Sequence, residues 1–340
     1  MDALPPDFDF LGPEFEYIAN FRFSRDEIHW LGPHLHLPEV IVHQHAGRVS
    51  RFKGLCLVLY RLAWPNRFTE AVPLFNMKAS ALSTFFNFII AMIYRRWKHL
   101  LLWDHVRLSS EFLTRCSQVV QDKGALLQET FGFLDGTAVR ICRPMVDQEE
   151  FYSGYKKYHC IKYQAITTPD GMIIHVGGPF VGRHNDSGML IRSQIRHYLA
   201  AHARSLGGHQ LVAYGDEGYG QSDEVQAPFR GNNLTPEQEA QNASMKRPRL
   251  AVEWSFGFIS NRFGLLNHYQ KLRIGKSPVG LYFPVAALFS NLLHCFGRHD
   301  TTQSYFGMRP PTPQQYLTPR REWDATRIVH IVPDYFQALE

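Results

Sequence analysis

The spacing of apolar residues changes character about a third of the way along this chain. Up to about residue 125 the apolar positions recur at helical intervals. Ser24-Arg-Asp-Glu27 has the form of a capping box and predicts a short helix that Gly32-Pro33 would stop. Residues 51–62 predict a second helix, ending before Pro65. A long amphipathic helix follows from Lys78 to about Leu101, with Phe85, Phe88, Ile89, Met92 and Ile93 on one face and Arg95, Arg96 and Lys98 near its end. A fourth helix is expected over residues 110–121, and residues 1 to about 20 read as an irregular arm.

From about Gln128 onward, apolar runs of strand length alternate with glycine and proline. Residues 131–142 and 160–167 predict two strands, Pro169-Asp-Gly171 a turn, and residues 172–176 a third strand. Residues 187–206 read as a helix closed by Gly207-Gly208, and residues 211–214 as a fourth strand. A loop over residues 222–249 then leads to a helix through residues 250–256. Strand, strand, strand, helix, strand, helix is the ribonuclease-H arrangement, in which the first and fourth strands lie side by side. The expected fold is therefore α/β, a ribonuclease-H-like mixed sheet flanked by helices, with an all-helical N-terminal domain. Its predicted boundaries are 1–125 for the helical domain, 126–300 for the sheet domain and 301–340 for a C-terminal tail.

The composition is compatible with packed cores, at 45% hydrophobic and 14% aromatic over 340 residues. Its five cysteines are isolated, odd in number and without a C-x-x-C pair, which supports neither a disulfide framework nor a zinc finger and favours a reducing compartment. The acidic, proline-rich start lacks the features of a signal peptide. The longest apolar run, residues 281–296, is interrupted by Pro284, Asn291 and His294 and is short for a bilayer. A soluble intracellular protein is expected, with no membrane association. A net charge of +5 is compatible with a polyanionic partner without requiring one.

Three acidic residues carry the candidate chemistry. Asp135 lies in Phe131-Gly-Phe-Leu-Asp-Gly-Thr137 and Asp216 in Leu211-Val-Ala-Tyr-Gly-Asp-Glu-Gly-Tyr219, each at the end of a predicted strand. Glu253 lies in a stretch read as a helix crossing that sheet edge. Converging carboxylates repel one another unless divalent cations occupy the gap. Two Mg²⁺ ions about 3.5–4 Å apart would clamp the attacking and leaving oxygens of a phosphodiester. Asp186 competes for the second position, although Asn185-Asp186-Ser187 also reads as a helix cap. His184 beside it is a candidate phosphate or water contact, or an ordinary loop histidine.

Nucleic-acid contacts are expected from Lys156 and Lys157, interleaved with tyrosines in residues 152–159, from Arg183, from Lys246, Arg247 and Arg249, and from Arg262. For the Lys246-Arg-Pro-Arg249 cluster, a nuclear-import or backbone-contact patch and a solvated loop are both open. The helices at 51–62 and 79–101 fit a helix-turn-helix with Ser80, Ser83 and Thr84 toward DNA, or a packed helical subdomain.

Taken together, Phe133-Leu-Asp-Gly-Thr137, Gly154-Tyr-Lys-Lys157 through Tyr163-Gln-Ala165, Thr168-Pro-Asp-Gly171, Gly178-Pro-Phe180, His184-Asn-Asp-Ser187, Gly215-Asp-Glu-Gly-Tyr219 and Val252-Glu-Trp-Ser-Phe-Gly257 resemble the PIF/Harbinger transposases and the Harbinger transposase-derived nuclease, among the DDE superfamily endonucleases. The resemblance implies a Mg²⁺- or Mn²⁺-dependent nuclease with Asp135, Asp216 and Glu253 as ligands and Asp186 as an accessory acid. It implies DNA as the substrate, a separate Myb/SANT-like DNA-binding partner, and the nucleus as the main location with a cytoplasmic pool; a homodimer is left open. Asn185 stands where the family usually has histidine, and Trp254 where a basic residue is common. The resulting expectation is a transposase that cleaves and joins phosphodiesters at element ends. The rival readings are a domesticated, non-cleaving DNA-binding or chromatin-associated protein and a nuclease acting on RNA or RNA–DNA hybrids.

Overall fold

The computed structural model describes residues 12–298 and 301–318. Helices α1 (Glu14–Phe21) and α2 (Arg25–His34) open it, followed by the hairpin β1 (Val40–His43) and β2 (Gly47–Ser50), then α3 (Arg51–Ala63), α4 (Phe68–Phe75), α5 (Ala79–Trp97) and α6 (Ser110–Gln121). The second half holds β3 (Thr130–Arg140), α7 (Gln148–Phe151), β4 (Tyr152–Ser153), β5 (Tyr158–Thr167), β6 (Ile173–Val181), α8 (Asp186–Ser193), α9 (Ile195–His202), β7 (Val212–Tyr214), β8 (Val225–Gln226), α10 (Pro236–Arg262), α11 (Tyr282–Cys295), α12 (Thr301–Phe306) and α13 (Pro313–Tyr316).

The capping box at Ser24 forms in both directions. Glu27 N donates to Ser24 Oγ at 3.2 Å and Ser24 N to Glu27 Oε2 at 2.8 Å. The helix nevertheless runs past Gly32 and includes Pro33. Two expectations for the first part are corrected. Residues 14–21 of the expected arm are helical, because Tyr17 and Phe21 bury into the core although Pro13 supplies no side-chain cap. The segment is not all-helical either: Val40 to Ser50 pair as an antiparallel hairpin that turns through Gly47 at φ +85. Residues 1–11 of the arm lie outside the described residues.

One apolar core runs from Tyr17 to Leu317 and joins the helical part to the sheet. Phe86 of α5 packs on Tyr282 of α11, and Asn87 Oδ1 accepts the Tyr282 hydroxyl at 2.8 Å. Asn87 is thereby engaged inside the protein, and of Ser80, Ser83 and Thr84 only Ser80 is exposed. Between the two helices expected to form a helix-turn-helix stands α4, which meets α5 at 93°. No single helix among the described residues is long and apolar enough to cross a membrane; α4 and α5 qualify only as that bent pair.

The six-stranded mixed sheet runs β6-β5-β3-β7-β8, with β4 extending the outer end of β5. β3, β5 and β6 form the antiparallel meander, while β7 joins β3 in parallel and β8 joins β7 in parallel. The expected helix over residues 187–206 divides into α8 and α9 at Gln194, which takes φ +54. The expected loop before Glu253 is helical from Pro236 onward, capped by Thr235 and Gln238, and passes through Pro248. Residues 301–318 of the expected tail contain α12 and α13; residues 319–340 lie outside the described residues.

Candidate active site

Phe133 of β3 is the register partner of Tyr214 of β7. Asp135 and Asp216 each follow two residues later, so parallel pairing sets the two residues beside one another on adjacent strands, which lie about 4.8 Å apart. Only Asp216 lies just past a strand end; the expected strand-end position of Asp135 is corrected, because β3 runs on through it to Arg140, held by its pairing with β5. Side-chain alternation places Asp135 on the Phe133 face of the sheet. On that face α10 packs Met245, Ala251 and Val252 against Phe133 and Tyr214. Asp135 Oδ1 accepts from Gly136 N at 2.7 Å, and Asp216 Oδ1 caps the following turn by accepting from Gly218 N at 2.8 Å.

Gly136 faces the other side of the sheet, where α8 begins. Asn185 is the cap of that helix, its Oδ1 accepting from Gly188 N at 3.0 Å, and Asp186 is the first helical residue. The carboxylate of Asp186 is therefore not the cap. It lies in a cradle of glycines: a Cβ on Gly136 would stand 2.9 Å from Asp186 Oδ1, and one on Gly218 would stand 2.7 Å from Asp186 Oδ2 and 3.0 Å from Asp216 Oδ1. Tyr219 is buried beside this group, its hydroxyl 3.5 Å from the same Gly136 position. Its ring lies so close to Gly215 that a Cβ there would come within 2.6 Å.

The electrostatics follow from this crowding. Burial pushes the Asp135 carboxyl up to about 6, helped by the neighbouring Asp216 and Asp186 and opposed by the Gly136 amide and Arg249. Burial also raises Asp186, again with Asp216 contributing, while Lys162 and Lys156 pull it down. The Tyr219 phenol is held far above its ordinary value, mainly by burial and then by the Asp186 charge.

Glu253 stands apart from this cluster. It lies on α10 with its side chain 45% exposed, and its Oε1 accepts from Arg249 Nη2 at 3.0 Å one helical turn away. Among the described residues, no three His, Cys, Asp or Glu side chains form a ready-made metal site. The physical reason lies in the directions of approach: Asp186 comes from one face of the sheet, Glu253 from the other, and an arginine already occupies Glu253. Even so, the donor set suits a hard divalent cation, being all carboxylate oxygen. The glycine cradle further keeps side-chain carbon out of the space beside Asp186 and Asp216.

The basic residues separate into distinct groups. Lys156 and Lys157 are exposed at the turn between β4 and β5, and the Lys156 charge reaches Asp186. Arg183 is exposed and pairs with Glu150 at 2.5 Å. At 3.6 residues per turn, Lys246, Arg249 and Glu253 share one stripe of α10. Arg247 instead lies over the Tyr305 ring at 5.1 Å. Arg262 is on the same helix but about 13 Å farther along and on the opposite side, stacked over Phe258 at 4.8 Å. It is not brought to the carboxylates.

The His184 ring is half-buried, and burial, with Arg192 and Arg183 nearby, holds it below the usual histidine range. Its carbonyl accepts from Lys162 Nζ at 2.6 Å, which pins the loop that presents Asp186. Lys162 and Tyr219 escaped the sequence reading. Tyr219 was within reach of it, since it ends the Gly215-Asp-Glu-Gly-Tyr219 motif, whereas nothing local distinguishes Lys162 from other strand lysines.

Neighbouring carboxylates on a mixed sheet, Asp135 within β3 and Asp216 just past β7, are packed by a helix that carries a further carboxylate, Glu253. Residues 134–291, from β3 into α11, match the family model of the DDE superfamily endonucleases. No curated protein and no solved structure matches the chain.

Proposed function

We propose that the protein is a metal-dependent DNA endonuclease of the transposase kind, with a ribonuclease-H-like catalytic sheet and the Harbinger pattern of motifs. The observation that carries this reading is the parallel register between Phe133 and Tyr214, which sets Asp135 beside Asp216. The endonuclease family match over the same residues supports it. The strand order, with β7 paired in parallel beside β3, supports the ribonuclease-H-like assignment.

Asp135, Asp216 and Glu253 would hold Mg²⁺ or Mn²⁺, with Asp186 beside them. When bound, two such ions supply charge neutralisation and activation of the nucleophile in phosphodiester cleavage. The protein's own groups orient the site. The Gly136 and Gly218 amides hold Asp135 and Asp216, and Lys162 anchors the Asp186 loop. Lys156, Lys157, Arg183, Lys246 and Arg249 furnish a positive rim for the DNA backbone. The α4–α5 pair has the crossing angle of a helix-turn-helix. Because Asn87 and the apolar face of α5 are engaged internally, DNA sequence recognition is assigned to a separate Myb/SANT-like partner, with nuclear action and joining at element ends completing the proposal.

Plasmid and element-end oligonucleotide cleavage with Mg²⁺, Mn²⁺ or EDTA tests the reading, running wild type beside Asp135→Asn, Asp216→Asn and Glu253→Gln. Metal-dependent cutting lost in all three variants is the expected result. Cutting retained in Asp135→Asn would remove the central claim. DNA binding without cutting, even with a Myb-like partner present, would favour the non-cleaving chromatin reading. Equal activity on RNA or hybrid duplexes would redirect the substrate.

A further inference from the structure

Beyond the candidate site β3 continues to Arg140, four residues past Gly136 and on the same face of the sheet, about 13 Å along the strand. Arg140 pairs in register with Cys160 of β5, which makes Tyr158 its diagonal neighbour on that face. Its guanidinium carbon lies 5.3 Å from the centre of the Tyr158 ring and 4.0 Å from that of Tyr269, in a turn after α10. Cys142 N donates to Leu272 O at 3.0 Å and ties that turn to the end of β3. Arg140 is exposed, both rings are partly exposed, and among the described residues no carboxylate pairs with the guanidinium.

The turn between β4 and β5 adds a further ring. Lys157 N donates to Ser153 O at 2.8 Å and Lys156 N to Ser153 Oγ at 3.2 Å, so the turn is closed. Tyr155 stands on it 88% exposed, with Lys156 Nζ 5.5 Å from its ring centre. The charge around these rings is mostly of one sign. Residues 263–281, which carry Tyr269, include Lys271, Arg273 and Lys276 and no acid. Of the two acids of α7, Glu150 is already paired with Arg183.

We propose that this end of the sheet binds a single DNA strand, its bases stacking on Tyr155 and on the Tyr158–Arg140–Tyr269 group and its phosphates meeting Lys156, Lys157 and the basic turn after α10. Exposed ring faces and a guanidinium plane take unpaired bases, which a duplex keeps stacked on one another, and the lysines take the backbone charge. The rings are already held in place, by strand register for Tyr158 and by a closed turn for Tyr155, so little ordering is left to oppose binding. The choice of DNA over other single strands rests on the nuclease reading; the stacking surface rests on the contacts themselves.

Fluorescence anisotropy of a labelled, mixed-sequence DNA strand of about 15 nucleotides, titrated with the full chain in EDTA, tests this apart from cleavage. The strand is expected to bind more tightly than its duplex. Tyr155→Ala is expected to weaken strand binding about 5- to 30-fold and Tyr155→Phe to keep it, because the ring face and not the hydroxyl is used. Arg140→Lys, which keeps the charge but loses the plane, is expected to weaken it as well, with circular dichroism confirming the fold. Lys156→Gln with Lys157→Gln is expected to flatten the salt dependence by about 1.4 in the slope of log K against log salt. Wild-type affinity in both Tyr155→Ala and Arg140→Lys, or a duplex bound as tightly as the strand, would overturn the proposal and leave the nuclease reading standing. Tighter binding of the RNA strand of the same sequence would overturn the assignment to DNA. Self-association of the chain that Tyr155→Ala abolishes, without strand binding, would instead give the face to a second copy. Strand binding as expected, with no metal-dependent cleavage, would count against the nuclease reading alone.

Discussion

Asp186 fits against Gly136 because position 136 has no side chain: a Cβ there would stand 2.9 Å from Asp186 Oδ1 and equally close to the Met189 methyl. At neither Gly136 nor Gly218 is φ positive, so these glycines are needed for space and not for backbone freedom. Gly136→Ala and Gly218→Ala should therefore displace the Asp186 carboxylate. The expected cost is about 1–3 kcal/mol in stability, with cleavage reduced well beyond what that loss explains. Gly257→Ala is the control. It lies on α10 with open space around it and should be neutral or stabilising by about 0.5–1 kcal/mol. Melting temperatures and cleavage rates of the three variants check the contrast.

The raised Asp135 carboxyl predicts how stability varies with pH. Its folded value of about 6 exceeds the ordinary 3.8. The folded state therefore binds the proton more tightly than the unfolded chain, and stability falls as pH rises through that window. Above pH 6 the metal-free protein carries the full cost of the buried charge. Asp135→Asn should be more stable than wild type in EDTA at pH 7.5, by on the order of 1–3 kcal/mol, with the difference shrinking toward pH 4.5. Mn²⁺ should stabilise wild type and leave the variant unmoved. Urea denaturation across pH, with and without the ion, is the measurement.

Far from the site, Arg107 and Asp170 form a buried ion pair that ties the segment before α6 to the β5–β6 turn. Asp170 also accepts from Thr168 Oγ1 at 2.6 Å, and its carbonyl accepts from Gln303 Nε2 of α12 at 2.9 Å. Asp170→Ala leaves the arginine charge buried without its partner and should cost about 3–5 kcal/mol. Replacing both partners with apolar residues should recover much of that loss. Denaturant midpoints of the single and double variants decide it, and Mn²⁺ affinity should not change.

Asn185 is predicted to act on the site through the helix it caps. Asn185→Ala should lower stability by about 0.5–2 kcal/mol, and Asn185→Asp should retain most of it. Hydrogen exchange across α8 should rise in the alanine variant, in step with weaker Mn²⁺ binding where Asp186 shares in holding the ion.

Much of the site was readable before any coordinates. Asp135 and Asp216 each end an apolar run, and the order of elements between them required the first and fourth strands to be neighbours. The helix carrying Glu253 was readable too, but its start was misplaced at Leu250, just after Pro248. The true start at Thr235-Pro-Glu-Gln238 has both a capping box and a proline at the first turn. Pro248 stands buried inside the helix, a tertiary setting that no local signal announces. The break at Gln194 and the β1–β2 hairpin were hidden for the converse reason: neither has a local signal strong enough to compete with the helical spacing around it.

The local chemistry was determined by the sequence alone, because caps, turns, strand alternation and helix periodicity depend on residues only a few positions apart. That was enough to set Asp135 on one strand, Asp216 just past another and Glu253 on a helix. The three-dimensional fold decided which charges meet. It brought Asp186 between Gly136 and Gly218 from one face of the sheet, and on α10 it paired Arg249 with Glu253. Those meetings depend on how helices dock across a sheet edge, and docking is governed by the shape of a core assembled from the whole chain.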